Sequence, residues 1–113
     1  MEGTKLADSI LIWELPGSNM LGSWTEEIIC TRRKDGTFSL RFRKRGEDGT
    51  RSVAGKFGIK SPEVLIGALL QMGELTGSEI SREEIADEIC PRLDQLYRRF
   101  SQQVRAYIDR MMK

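Results

Sequence analysis

The stretch Asp35-Gly36-Thr37-Phe38-Ser39-Leu40-Arg41-Phe42-Arg43-Lys44-Arg45 alternates apolar and polar side chains more cleanly than any other part of the chain. In extended backbone Phe38, Leu40 and Phe42 fall on one side and Ser39, Arg41 and Arg43 on the other. Asp35-Gly36 is a turn pair, so the stretch reads as one arm of a β-hairpin with a strongly basic outer side.

Upstream, Trp24 to Arg33 is the partner strand. Trp24, Ile28 and Cys30 share one face, and Thr25, Glu27, Ile29 and Thr31 the other. Ile29 interrupts that division and implies cover on both faces, for example from the N-terminal segment. Ile10 to Leu15 is a short strand, placed at an edge, which Pro16-Gly17-Ser18 ends with turn chemistry. Met20 to Ser23 reads as loop. Downstream, Gly46-Glu47-Asp48-Gly49 closes a second hairpin. Arg51 to Ile59 then places Val53, Gly55, Phe57 and Ile59 on one face and Ser52, Ala54, Lys56 and Gly58 on the other. Gly55 and Gly58 suggest a bend or bulge.

The helix signals follow Ser61-Pro62-Glu63. Ser61 suits an N-cap, Pro62 the first helical position, and Glu63 the positive end of the dipole. This helix carries Val64, Leu65, Ala68, Leu69 and Met72 and stops near Gly73. Ser81 and Glu84 form a capping-box pair for a second start, and Pro91 marks a kink or restart. From Leu93 the ridge Leu96, Tyr97, Phe100, Val104, Ile108 and Met111 predicts roughly 20 residues of helix spanning about 30 Å.

The fold class is therefore α+β: a three- to four-stranded antiparallel meander followed by two or three C-terminal helices packed on one face. The 113 residues form a single domain, with strands over about 10–60 and helices over about 62–112. The predicted core comprises Trp24, Ile28, Phe38, Leu40, Phe42, Val53, Phe57, Ile59, Leu65, Leu69, Leu93, Leu96, Phe100 and Val104.

The formal net charge of +1 conceals a segregated distribution. Residues 30–60 hold 10 basic and 3 acidic side chains, whereas residues 61–95 hold 2 and 8. The chain contains no histidine, which removes the commonest general base and metal ligand together. Cys30 and Cys90 make no recognisable zinc site and read as reduced thiols, Cys30 packing as a small hydrophobe. Glu26-Glu27 and Glu83-Glu84 are carboxylate pairs, yet neighbours on a strand point to opposite faces, and the second pair suits a helix first turn. The chain reads as non-enzymatic, with no cofactor and no metal. The expected location is the cytoplasm, since there is no leader-like apolar run and no membrane-spanning stretch.

Two surfaces are binding candidates. Arg41, Arg43, Arg45 and Lys56 suit one cationic sheet face, with Arg32 or Lys34 nearby, able to follow a phosphate backbone or to lie solvated against acidic neighbours. Gly55-Lys56-Phe57-Gly58 is a Gly-x-x-Gly pattern, read here as a strand bend. The end of the last helix, with Tyr107, Ile108, Met111 and Met112, suits packing, a homodimer or a partner contact equally. Trp13 and Trp24 fit either the core or an interface.

Gly36, Leu40, Phe42, Arg43, Asp48, Gly49, Gly55, Lys56, Gly58, Ile59, Pro62 and Glu63 form a pattern that resembles the sheet of the positive-cofactor-four family of single-strand DNA-binding transcriptional coactivators. The resemblance covers residues 30–63, about a third of the chain. Phe57 stands where that family has a basic residue, and the N-terminal strand and long last helix have no counterpart. The resemblance implies single-stranded nucleic-acid binding. The leading expectation from the residues is a small protein-binding module of the bacterial or phage inhibitor or immunity type, acting by occupying another protein's surface. Segregated charge would speed such an encounter.

Overall fold

The structure, a computed structural model, describes residues 8–76 and 79–112. The N-terminal residues expected as a cover for the face of Ile29 lie outside the described residues as far as residue 7.

Strands β1 (Asp8–Asn19), β2 (Gly22–Arg32), β3 (Phe38–Gly46) and β4 (Gly49–Ile59) form one antiparallel meander in the order β1-β2-β3-β4. Helix α1 (Pro62–Thr76) follows, then a single turn α2 (Arg82–Glu84), a π turn (Ile85–Ile89) and α3 (Cys90–Met111). The fold is α+β, with helices against one side of the sheet. Helix α3 lies over β1 and β2, while α1 reaches β4 and α3.

β1 is longer than its sequence suggested. It continues through Pro16-Gly17-Ser18 and turns only at Met20-Leu21, where Asn19 Oδ1 accepts from Leu21 N at 2.8 Å. Pro16 is tolerated because β1 is an edge strand, where a missing N–H breaks no ladder. Gly17 is required by close approach: a Cβ there would lie 2.6 Å from Cε2 of Trp24. A bulge between Leu11 and Trp13 turns both Ile12 and Trp13 into the core, at 1% and 6% exposure. The second turn is held by Asp35 Oδ1, which accepts from Thr37 N at 3.0 Å and Thr37 Oγ1 at 2.6 Å.

The helix-facing side of the sheet presents Ile28, Cys30, Phe38, Leu40, Phe42 and Ile59, sealed by Leu65, Leu69, Ile85, Ile89, Leu93, Val104 and Ile108. Both cysteines are free and buried, and burial pushes the Cys30 thiol up to about 12. Four expected core residues depart from this layer. Val53 and Phe57 are 44% and 61% exposed, and Trp24 and Leu96 are half-buried. The cause for the first two is register. β4 carries irregularities opposite Phe38/Leu40 and Phe42/Arg43, so strict alternation fails there. Gly58, at φ +69°, supplies the left-handed residue of the first bulge and lets Ile59 turn inward while Phe57 turns out.

Ser61 Oγ accepts from Val64 N at 3.3 Å at the start of α1. Ser81 Oγ accepts from Glu84 N at 3.1 Å, as its cap position predicts. The Glu84 carboxylate turns toward the sheet and accepts from Trp13 Nε1 at 3.0 Å, tying the helical layer to β1. Ahead of Pro91, the Cys90 N–H bonds five residues back to Ile85 O, widening one turn to π geometry.

The long final helix is not straight. Tyr97 has φ −163° and ψ 98°, an extended residue that breaks α3 into two arms. A straight helix would separate residues eleven apart by about 16 Å. Here Ser101 Oγ donates to Cys90 O at 2.9 Å, and Arg105 reaches Asp94 at 4.0 Å, across the bend. The bend is fixed to the sheet by rings: Phe38 stacks on Phe100 at 4.3 Å and on Tyr97 at 6.0 Å. The Arg32 guanidinium lies 4.0 Å from the Tyr97 ring centroid.

A candidate docking face on the open side of the sheet

Among the described residues, no helix covers the opposite side of the sheet. Strand pairing brings Ile29 beside Leu11 and Arg41, Glu27 beside Glu14 and Arg43, and Thr31 beside Ser9 and Ser39 on that side. Arg45 pairs with Thr25 and Thr50 on the same face. The three arginines read as one basic stripe are therefore together. Lys56 is not with them: it pairs with Leu40, which points to the helices, so Lys56 belongs to the helix side and is exposed at the edge of β4. The bulges that redirect Phe57 account for this too.

At the centre of the open face lies Glu27, 4% exposed. Arg43 Nε donates to its Oε1 at 2.9 Å, while Arg45 donates to Oε2 from Nε at 3.3 Å and from Nη2 at 3.1 Å. Burial raises the Glu27 carboxyl pKa, but the hydrogen bonds and charges of Arg45 and Arg43 outweigh it and hold the group below its usual value. Glu27 is thus an ionised anchor beneath two arginines. Its role is invisible in sequence spacing, because the partners lie 16 and 18 residues away and meet only once the register is set.

Beside this cluster the face dips into a concavity of about 380 Å³. Its cationic wall is Arg41 and Arg43, and its hydroxyl end is Ser9, Thr31 and Ser39. Ser9 and Thr31 share a 2.7 Å hydrogen bond between their hydroxyls. Leu11, Ile29 and Phe57 make the apolar part, the first two half-buried and Phe57 largely in solvent. Arg41 has no hydrogen-bond or ion-pair partner among the described residues, and Arg43 donates only through Nε.

The other candidates lie elsewhere. Trp13 is in the core. Trp24 sits on the helix side near the hairpin tips, with Lys44 Nζ 5.2 Å from its ring centroid. Its Nε1 donates to Glu26 Oε1 at 3.4 Å, and Glu26 Oε2 is buried with no partner among the described residues. Tyr107 is half-buried beneath Arg110, whose guanidinium is 5.5 Å from the ring centroid, and Met111 is 42% exposed at the end of α3. These residues do not join the open face. Among the described residues no group of three or more Cys, Asp or Glu side chains converges as a metal site would require. Among the described residues no helix is long and apolar enough to cross a membrane.

No protein-family model, curated protein or solved structure matches this chain.

Proposed function

We propose that the chain is a protein-binding module that docks a partner protein on the open face of its sheet, in the manner of a small inhibitor or immunity protein. The observation that carries this reading is the combination of Leu11, Ile29 and Phe57, left partly uncovered, with two arginines hydrogen-bonded from below by Glu27. A face built only to follow a polyanion gains from each unpaired cation. Here two of three arginines share one carboxylate, and apolar area lies beside the third, Arg41. Apolar area beside Arg anchors is common in protein interfaces.

A second reading, single-stranded nucleic-acid binding, is favoured by one observation. Phe57 lies on the same face as Arg41 and Arg43 and offers the stacking surface that Phe38 and Phe42, turned to the core, do not. The resemblance of residues 30–63 to the positive-cofactor-four sheet leans the same way.

One pair of experiments separates them. A photo-crosslinking residue at position 57 should trap a discrete protein partner, and the Arg41→Glu variant of that chain should lose it. Trapping unaffected by Arg41→Glu would overturn the docking face. In parallel, anisotropy with a labelled single-stranded oligonucleotide at 50 and 200 mM salt should show weak binding. Micromolar affinity that falls by about 10³-fold or more between those salts would replace the protein reading with the nucleic-acid one.

A further inference from the structure

Three features of the open face are independent of what class of macromolecule docks there. The concavity has a defined polar end and a defined apolar wall. Arg43 is held by a buried carboxylate through Nε, and its two terminal nitrogens make no hydrogen bond among the described residues. Arg41, two residues along the same strand and on the same face, is unpaired among the described residues. A guanidinium anchored at Nε and free at its terminal nitrogens is a preorganised fork for an oxyanion, since little rotamer freedom is left to lose on binding.

We infer that this concavity is a carboxylate-binding pocket, receiving a carboxylate that stands next to an apolar or aromatic group on the docked protein. Arg43 and Arg41 hold the two oxygens, and Leu11, Ile29 and Phe57 receive the neighbouring apolar group. Glu27 is the positioning residue. Its single charge is shared by Arg43 and Arg45, so the cluster of three arginines keeps a net positive charge facing the ligand, the complement of an anionic group. The hydroxyls of Thr31 and Ser39 can donate to the same anion without adding charge. The inference rests on the open face being the docking face and adds to it the chemical identity of what the face selects.

The test uses the purified chain and three small probes: N-acetylphenylalanine, its uncharged amide, and diethyl phosphate as a phosphodiester monoanion. Amide shifts in a ¹H–¹⁵N spectrum should titrate with N-acetylphenylalanine around Thr31, Ser39, Arg41 and Phe57, and the uncharged amide should leave them unmoved. Arg41→Ala should weaken binding roughly tenfold or more, the loss of one charge-assisted contact. Arg43→Lys keeps the charge but loses the Nε anchor, and should weaken it as well. Lys56→Ala, on the helix side, should change nothing. The absence of a saturable shift, an equal response to the uncharged amide, or a preference for diethyl phosphate would each overturn the pocket. These outcomes require no partner, so they are distinguishable from failure of the crosslinking test. A silent pocket with Arg41-dependent crosslinking removes only the carboxylate assignment.

Discussion

The two sides of β2 and β3 are made from alternate residues of the same strands and are stabilised in opposite ways. On the helix side, Ile28, Cys30, Leu40 and Phe42 are withdrawn from water completely or nearly so, with no polar group to satisfy. On the open side the most buried group is the carboxylate of Glu27, and it is tolerable only because two guanidiniums complete its hydrogen bonds. The first arrangement draws stability from area removed from water. The second first incurs the cost of burying a charge and then offsets it, so its net contribution is small while its directional demands are strict. One side holds the chain folded, and the other holds side chains at fixed positions on an open surface.

The comparison is broken most forcefully from the helix side. Phe42→Ala should cost about 3–5 kcal/mol, read as a lower urea midpoint at unchanged slope. A loss below about 1 kcal/mol would mean the helical layer does not seat on the sheet as described. Glu27→Ala should cost less, about 2 kcal/mol, between the values for buried and exposed ion pairs, because Arg43 and Arg45 keep 34% and 54% side-chain exposure and can return to water.

Acid should reproduce part of that loss without mutation. The folded pKa of Glu27 lies below its ordinary 4.5, so across the interval beneath 4.5 the unfolded chain binds more protons than the folded one. The stability Glu27 contributes is present above 4.5 and is lost as pH falls through the folded pKa. Urea midpoints measured from pH 6 downward should fall less in Glu27→Gln than in the natural chain over that interval.

Glu26 sharpens the contrast from the opposite direction. It neighbours Glu27 in sequence, points to the helix side and leaves Oε2 buried without a partner among the described residues. Glu26→Leu should therefore stabilise the chain by about 1 kcal/mol. A loss of stability would show that the hydrogen bond from Trp24 Nε1 to Oε1 outweighs the relief of Oε2. The smallest effect is expected at Phe57: Phe57→Ser should stay within about 0.5 kcal/mol of the natural chain while weakening the open face as a binding surface.

The architecture was legible in the residues wherever alternation was strict. Phe38, Leu40 and Phe42 lie where period two puts them, and Ser61 and Ser81 cap the helices they announce. Legibility failed where one residue is inserted into a ladder. The bulge at Leu11/Trp13 sends Trp13 inward to meet Glu84, and the irregularities in β4 send Val53 and Phe57 out. A bulge changes the parity of every residue beyond it, and parity was the basis of the face assignments. The break at Tyr97 was hidden for a different reason. The stripe Leu93, Phe100, Val104 and Ile108 keeps helical spacing across it, so the pattern is the same for a straight helix and for two arms. Of the open face, Arg41, Arg43 and Arg45 were readable from their spacing. Glu27 and Phe57 were not, since their part depends on register.

The exposed edge of β4 has one more effect, on behaviour at high concentration. An edge strand of 11 residues with an unbroken row of amides and carbonyls would template the pairing of further copies. Here two irregularities disturb the row, and Lys56 places a charge on the helix-side surface where an added strand would need to pack. The same insertions that move Phe57 onto the open face therefore make this edge a poor template for strand addition.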